Sequence, residues 1–410
     1  MATPRIETLI PNWNLAILGG GVLLAGLFIG TVGFYSFSIF KAPVPEYLRL
    51  GHAILSFWSV LLILLSFILG NRNFGGMSQY FPPALAVAPV AAAGLLVAWG
   101  IGFGFVSVFL LAVVVGVWMI MLLLTTGFSI SKDEPLGHFS LYLRLGWMVM
   151  LFSLALGIFM AAAFTLRGVR PPLGLITAHT HSFLYVLLML GSILILRLAG
   201  ATGRLSRIAT HFYLIGAIGN PIVVTFFALD GSLRTISLPF DFLVFIAILL
   251  VLLALLGVES NRERLREMGV SRGLLVFSFA MILVTTAWGG LLVLLYKPGM
   301  ASEYVLPRSP IVPLETLHFS PLAFAAVSMA IALLLQALPL SPGLKMFIAT
   351  LLATGTALNF VGVAFTLAGF PPGALQVKVL GGIPLFGLGV ILFFYSIARS
   401  KHLARTGSIC

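Results

Sequence analysis

Four histidines fall in the first turns of apolar stretches: His52, His179, His181 and His318. Neutral imidazole is a ligand for haem iron, copper and zinc through one ring nitrogen. Two such residues on different helices can take the opposite axial positions of one haem. A single histidine at a helix start is most simply a capping or hydrogen-bonding group at the headgroup level. Three at matching positions argue for more, because polar side chains at membrane depth are costly and are retained for function. His179 and His181 are metal-ligand candidates that cannot act together, since positions i and i+2 of a helix point about 200° apart. His138, His211 and His402 belong to a loop, a helix opening and a tail on the other side of the expected membrane.

The surroundings of these histidines repeat. The segments KAPVPEYLRLGHAILSFW, RGVRPPLGLITAHTHSFLYVL and VLPRSPIVPLETLHFSPLAFA each run from a Pro-bearing loop into a helix that opens with histidine. The steps from His52 to His181 and from His181 to His318 are nearly equal, which aligns His181 with the repeat and makes it the inward member of its pair. Two further spans follow each unit, giving units of four helices near 14–128, 146–258 and 273–398. His52, His181 and His318 are then expected at similar depth in the outer half of the membrane. Glu315, one turn before His318, is either an orienting partner for that imidazole or a first-turn acid favoured by the helix dipole.

The elements that must hold these residues are membrane spans. Hydrophobic residues make up 60% of the 410 and charged ones only 8%, against roughly 25% charged in a soluble domain. Apolar runs of about 17–25 residues, enough to cross about 30 Å of hydrocarbon, are expected at 14–38, 52–71, 83–100, 104–128, 146–166, 176–197, 209–228, 238–258, 273–296, 314–336, 345–368 and 378–398. The fold expected is therefore all-α, a single transmembrane domain of twelve helices in three four-helix arcs. Twelve spans divide the Lys and Arg residues fifteen to eight in favour of the side holding both termini, which the positive-inside rule places in the cytoplasm.

Other classes are excluded or disfavoured. The +12 net charge sits in loops between spans and so sets orientation rather than binding nucleic acid. The N-terminus lacks the n-region and h-region of a removed signal peptide. Cys410 is the sole cysteine, so disulfides and cysteine metal clusters are out, and no CxxCH motif is present. The run Glu259–Glu267 reads as a solvated inner loop, and Gly19, Gly20 and Gly21 as a surface for close helix packing. Asp230 and Asp241 are placed near the outer boundary and no carboxylate or lysine at mid-membrane, so redox-driven proton pumping is not expected.

Twelve helices in three arcs, with histidines on the second, sixth and tenth, resemble subunit I of the haem–copper oxidase and nitric-oxide reductase superfamily. His52-Ala53 with Gly70-Asn71 is similar to the helix that supplies a low-spin haem ligand. His181-Ser182-Phe183-Leu184-Tyr185, with Gly191 beyond, looks like the helix that carries a copper-ligand histidine and, one turn on, the active-site tyrosine. His318-Phe319 opens the helix that holds two histidines in the family.

The departures shape what the resemblance implies. Where the family has adjacent copper-ligand histidines on its seventh helix, this chain reads Val224-Thr225-Phe226-Phe227-Ala228-Leu229-Asp230, so a three-histidine copper site is incomplete. On the tenth helix, Thr316 replaces the first histidine if His318 is the second, and Ser320 replaces the second if His318 is the first; the repeat favours the former. The resemblance then implies a b-type haem held by His52 and His318, with His181, His179 and Tyr185 around a degenerate second site where copper is doubtful. It further implies electron transfer or diatomic-gas chemistry as an oxidoreductase, with oxygen or nitric oxide as substrate. Electrons would come from a redox partner or companion subunit, in the inner membrane of a prokaryote. The alternative is a cofactor-free relative acting in assembly or small-molecule transport.

Overall fold

The computed structural model describes residues 9–40, 46–70, 139–164, 171–201, 203–227, 235–295, 311–367 and 377–405, with isolated positions between 102 and 169. Among these the regular elements are all helical: α1 (Trp13–Phe40), α2 (Glu46–Gly70), α3 (Ser140–Ala163), α4 (Leu173–Leu198), α5 (Arg204–Phe227), α6 (Leu238–Leu256), the short α7 (Arg262–Glu267), α8 (Gly269–Leu295), α9 (Ile311–Ala337), α10 (Pro342–Leu367) and α11 (Ile383–Arg405), the last entered through a π-helical turn at Val377–Gly382. Eight are long and apolar enough to cross a membrane, and the apolar parts of α2 and α11 are shorter. The expected spans 83–100 and 104–128 lie outside the described residues.

Large apolar side chains such as Phe28, Phe152, Phe159, Phe226 and Phe242 face outward from these helices. That is the surface of a protein solvated by lipid rather than water. The chain is a multi-pass helical membrane protein.

Successive long helices pack as neighbours within α1–α2, α3–α6 and α8–α11; α6 also lies on α8, and α11 returns to α1. Inside this arrangement α2, α4 and α9 touch one another. The α4 and α9 spans are 78% and 72% buried, against 33% to 44% for the other six. The three meet at Gly191 of α4, whose missing side chain leaves room for Met329 of α9 beside Leu64 of α2. Helices buried on all sides need apolar residues on all sides, and Leu61, Leu62, Ile63, Leu64 and Leu65 are buried in succession.

Small residues set the closest approaches. Gly19 and Gly26 of α1 lie directly on α2, at Ser59–Ile63 and Leu55–Ser56, as the glycine spacing in the sequence suggests. The charged run is more ordered than a solvated loop. Asn261 Oδ1 caps α7 by accepting from the backbone of Glu263 and Arg264 at 2.9 and 3.1 Å. Glu259 accepts from the Leu205 amide at 2.8 Å, a carboxylate at the N-terminus of α5 where the helix dipole favours it. A cavity of about 310 Å³ lies where α2, α4 and α9 end, bounded by Trp13, Phe67, Arg197, Arg264 and Gln336, remote from the histidines.

Candidate functional site

His52 stands near the start of α2 and lays its ring on Gly30 of α1, where any Cβ would collide with it. Its Nδ1 lies 2.7 Å from the Gly26 carbonyl oxygen. A carbonyl only accepts, so Nδ1 carries a proton, and in the neutral ring Nε2 is then the lone-pair nitrogen. A backbone carbonyl commonly fixes the tautomer and plane of a metal-binding imidazole in this way.

His179 repeats the arrangement on the next helix pair. Its ring lies on Gly157 of α3, and its Nδ1 donates to the Ser153 carbonyl at 2.7 Å. The Ser153 hydroxyl donates in turn to the His179 carbonyl at 2.8 Å. One and the same displacement along the chain carries glycine 30 to 157, carbonyl 26 to 153 and histidine 52 to 179. By this contact His179 is the counterpart of His52. The spacing of the sequence segments assigns that place to His181 instead, because short matched stretches cannot separate two histidines so close together.

His181 points elsewhere. Its ring stacks on Tyr185, one turn along α4, with centroids 5.1 Å apart and planes 19° from parallel. Its Nδ1 donates to Asn220 Oδ1 on α5 at 3.2 Å. Asn220 Nδ2 donates to Asp241 Oδ1 on α6 at 2.5 Å, and the Tyr185 hydroxyl donates to the same oxygen at 2.5 Å. Ser237, a turn before Asp241, lies 3.5 Å from Oδ2. Asn220 and Tyr185 are buried.

Asp241 therefore joins three helices through its carboxylate. It lies in the first turn of α6, within the span Thr235–Leu256. Its partner Tyr185 stands halfway along α4 (Leu173–Leu198). Asp241 thus stands at the first turn of its span while its carboxylate bonds a tyrosine midway along a neighbouring helix.

A second polar pair shows the same register. Asn359 Nδ2 of α10 donates to Ser320 Oγ of α9 at 2.9 Å. These partners are as far apart in the chain as His181 and Asn220, so a single displacement carries 181 to 320 and 220 to 359. The same displacement carries His179 to His318. The side chains of His318, Thr316 and Glu315 lie outside the described residues, and so does the expectation that His318 ligates haem.

The structure thus brings His181 and Tyr185 together, and separates His179 from His181 as helical geometry requires. His52, His179 and His181 engage α1, α3 and α5 respectively. Among the described residues, no group of three or more His, Cys, Asp or Glu side chains converges as a metal site. The groups around His181, an amide, a phenol and a carboxylate beyond them, do not fit a histidine-ligated copper. Sequence reasoning misses Asn220 and Asp241 as site residues. Their signal is present: an Asn-Pro step inside an apolar helix, and an acid inside an apolar span. No protein family and no curated protein matches the sequence.

Proposed function

We propose that the chain is a haem-binding, oxidase-like membrane protein, with His52 and His318 as axial ligands of one b-type haem in a bundle of twelve helices in three four-helix units. The observation that carries this reading is the Nδ1–H bond from His52 to the Gly26 carbonyl, which leaves Nε2 as the nitrogen for iron. Two observations support the repeat. The histidine–glycine contact recurs at one displacement and the polar pair at another, which supports reading His52, His179 and His318 as equivalent positions of a repeat. The central position of α2, α4 and α9, the helices that bear them, fits three arcs around a common axis. A bound haem would supply one-electron chemistry, and an imidazole on each face would leave its iron no open position for a diatomic gas, so electron transfer is the activity this ligand pair supports. The protein's part is to hold the imidazole plane and exclude water. Electrons come from a partner protein or companion subunit, and copper has no place in the reading.

A second reading is favoured by the three described histidine rings engaging three different helices. It is a cofactor-free carrier of a small molecule, using the polar groups between α4, α5 and α6. A visible spectrum of protein purified from cells supplied with haem separates the two. A Soret band is expected, lost in His52→Ala and in His318→Ala and kept in His211→Ala. A colourless, correctly folded preparation overturns the haem reading and leaves the carrier.

A further inference from the structure

We propose that Asp241 is the proton-carrying group of an exchange site inside the bundle, formed with Tyr185, Asn220 and His181, and independent of any haem. An ionisable side chain within a membrane span is expensive and marks an ion or proton site more often than a structural one. The hydrogen bonds here have a fixed direction. His181 donates to Asn220, Asn220 donates to Asp241, and Tyr185 donates to that same Oδ1. Oδ1 accepts two short hydrogen bonds and Oδ2 a long one from the Ser237 hydroxyl at 3.5 Å, so a proton taken up by the carboxylate is assigned to Oδ2. One O–H bond forms on uptake and breaks on release. Tyr185 keeps its own proton in both states, and no electron moves.

The other helix trio serves as an internal control. The displacement that carries His181 to Ser320 also carries Asn220 to Asn359 and Tyr185 to Phe324. There the Ser320–Asn359 pair suffices to join α9 to α10, and Phe324 packs on Phe386 of α11 with centroids 4.3 Å apart. The same packing task is met without a carboxylate, so the packing does not require Asp241. Of the titratable groups on α4, Tyr185 bonds Asp241 directly and His181 reaches it through Asn220, which α5 brings as a neutral group. The charged residue of α8, Arg272, bonds the Leu255 carbonyl at the opposite end of α6.

The test is infrared difference spectroscopy of the full chain in lipid, recorded against bulk pH, with isotope-labelled aspartate. The aspartates of the chain are Asp133, Asp230 and Asp241. The expected result is a protonated-carboxyl C=O band that moves with the isotope and grows as pH falls. It disappears in Asp241→Asn and shifts to higher wavenumber in Tyr185→Phe, where a donor to the carbonyl oxygen is gone. An isotope-sensitive band that persists in Asp241→Asn, or a labelled signal unresponsive to pH, overturns the proposal. So does loss of the protonated band on adding sodium chloride at constant pH, which would mark a metal-cation site instead. Tyr185→Phe retains the carboxyl, so an unshifted band there refutes the assignment even if Asp241→Asn fails to fold. A colourless preparation leaves this test intact.

Discussion

At the scale of single residues, the histidines show how much of their chemistry is set by what lies one helix away. His179 rests on Gly157 and holds the Ser153 carbonyl through Nδ1. Gly157→Val is expected to push the ring off this seat and cost about 1–3 kcal/mol, the usual penalty for overpacking. Ser153→Ala removes the hydroxyl bond to the His179 carbonyl but leaves the Nδ1 contact, and is expected to cost only about 1 kcal/mol. Thermal unfolding in detergent orders the two; an equal or reversed effect would show that the glycine seat does not matter. His52, His179, His181 and Tyr185 stand out in the sequence because their residue types are rare at membrane depth. The pairing of Tyr185 with Asp241 does not, since the two lie on different helices and meet only through the packing of α4, α5 and α6.

At the scale of helices, apolar runs identify the elements well: each described helix that crosses the bundle overlaps an expected span over most of its length. Their place in the bundle is not legible in that way. The span in α6 has the highest mean hydropathy, 2.8, yet is only 39% buried, whereas α4 and α9, at 1.9 and 1.8, are the most enclosed. Lipid chains are as apolar as leucine, so greasiness does not tell inside from outside in a membrane. Close backbone approach is the better sign. A Cβ on Gly355 of α10 would stand 2.7 Å from the Phe386 amide and 2.9 Å from the Gly382 carbonyl. Main chain cannot step aside as a side chain can, so Gly355→Leu is expected to destabilise the α10–α11 pair by at least about 1–3 kcal/mol. Its melting temperature should fall well below that of Gly343→Leu, whose surroundings are open.

At the scale of the whole molecule, the proposed twelve spans would put both ends of the chain on one face, and the excess of Lys and Arg would assign that face to the cytoplasm. The single native thiol makes this measurable. In intact cells a membrane-impermeant maleimide should leave Cys410 unlabelled, while Ala301→Cys in a Cys410→Ser background should react. Labelling of both positions from outside would mean an even number of crossings between them, where three are expected. Charge counting can reach this far because loops report orientation one at a time. Which three helices form the axis cannot be read that way, since it depends on contacts between stretches far apart in the chain.

The meeting of Gly191, Met329 and Leu64 closes the middle of the molecule with hydrocarbon. Among the described residues, no water-filled conduit passes between α2, α4 and α9 at that plug without prising the three helices apart. Anything that permeates this protein, whether a proton, a gas or a larger solute, is consigned to the flanks.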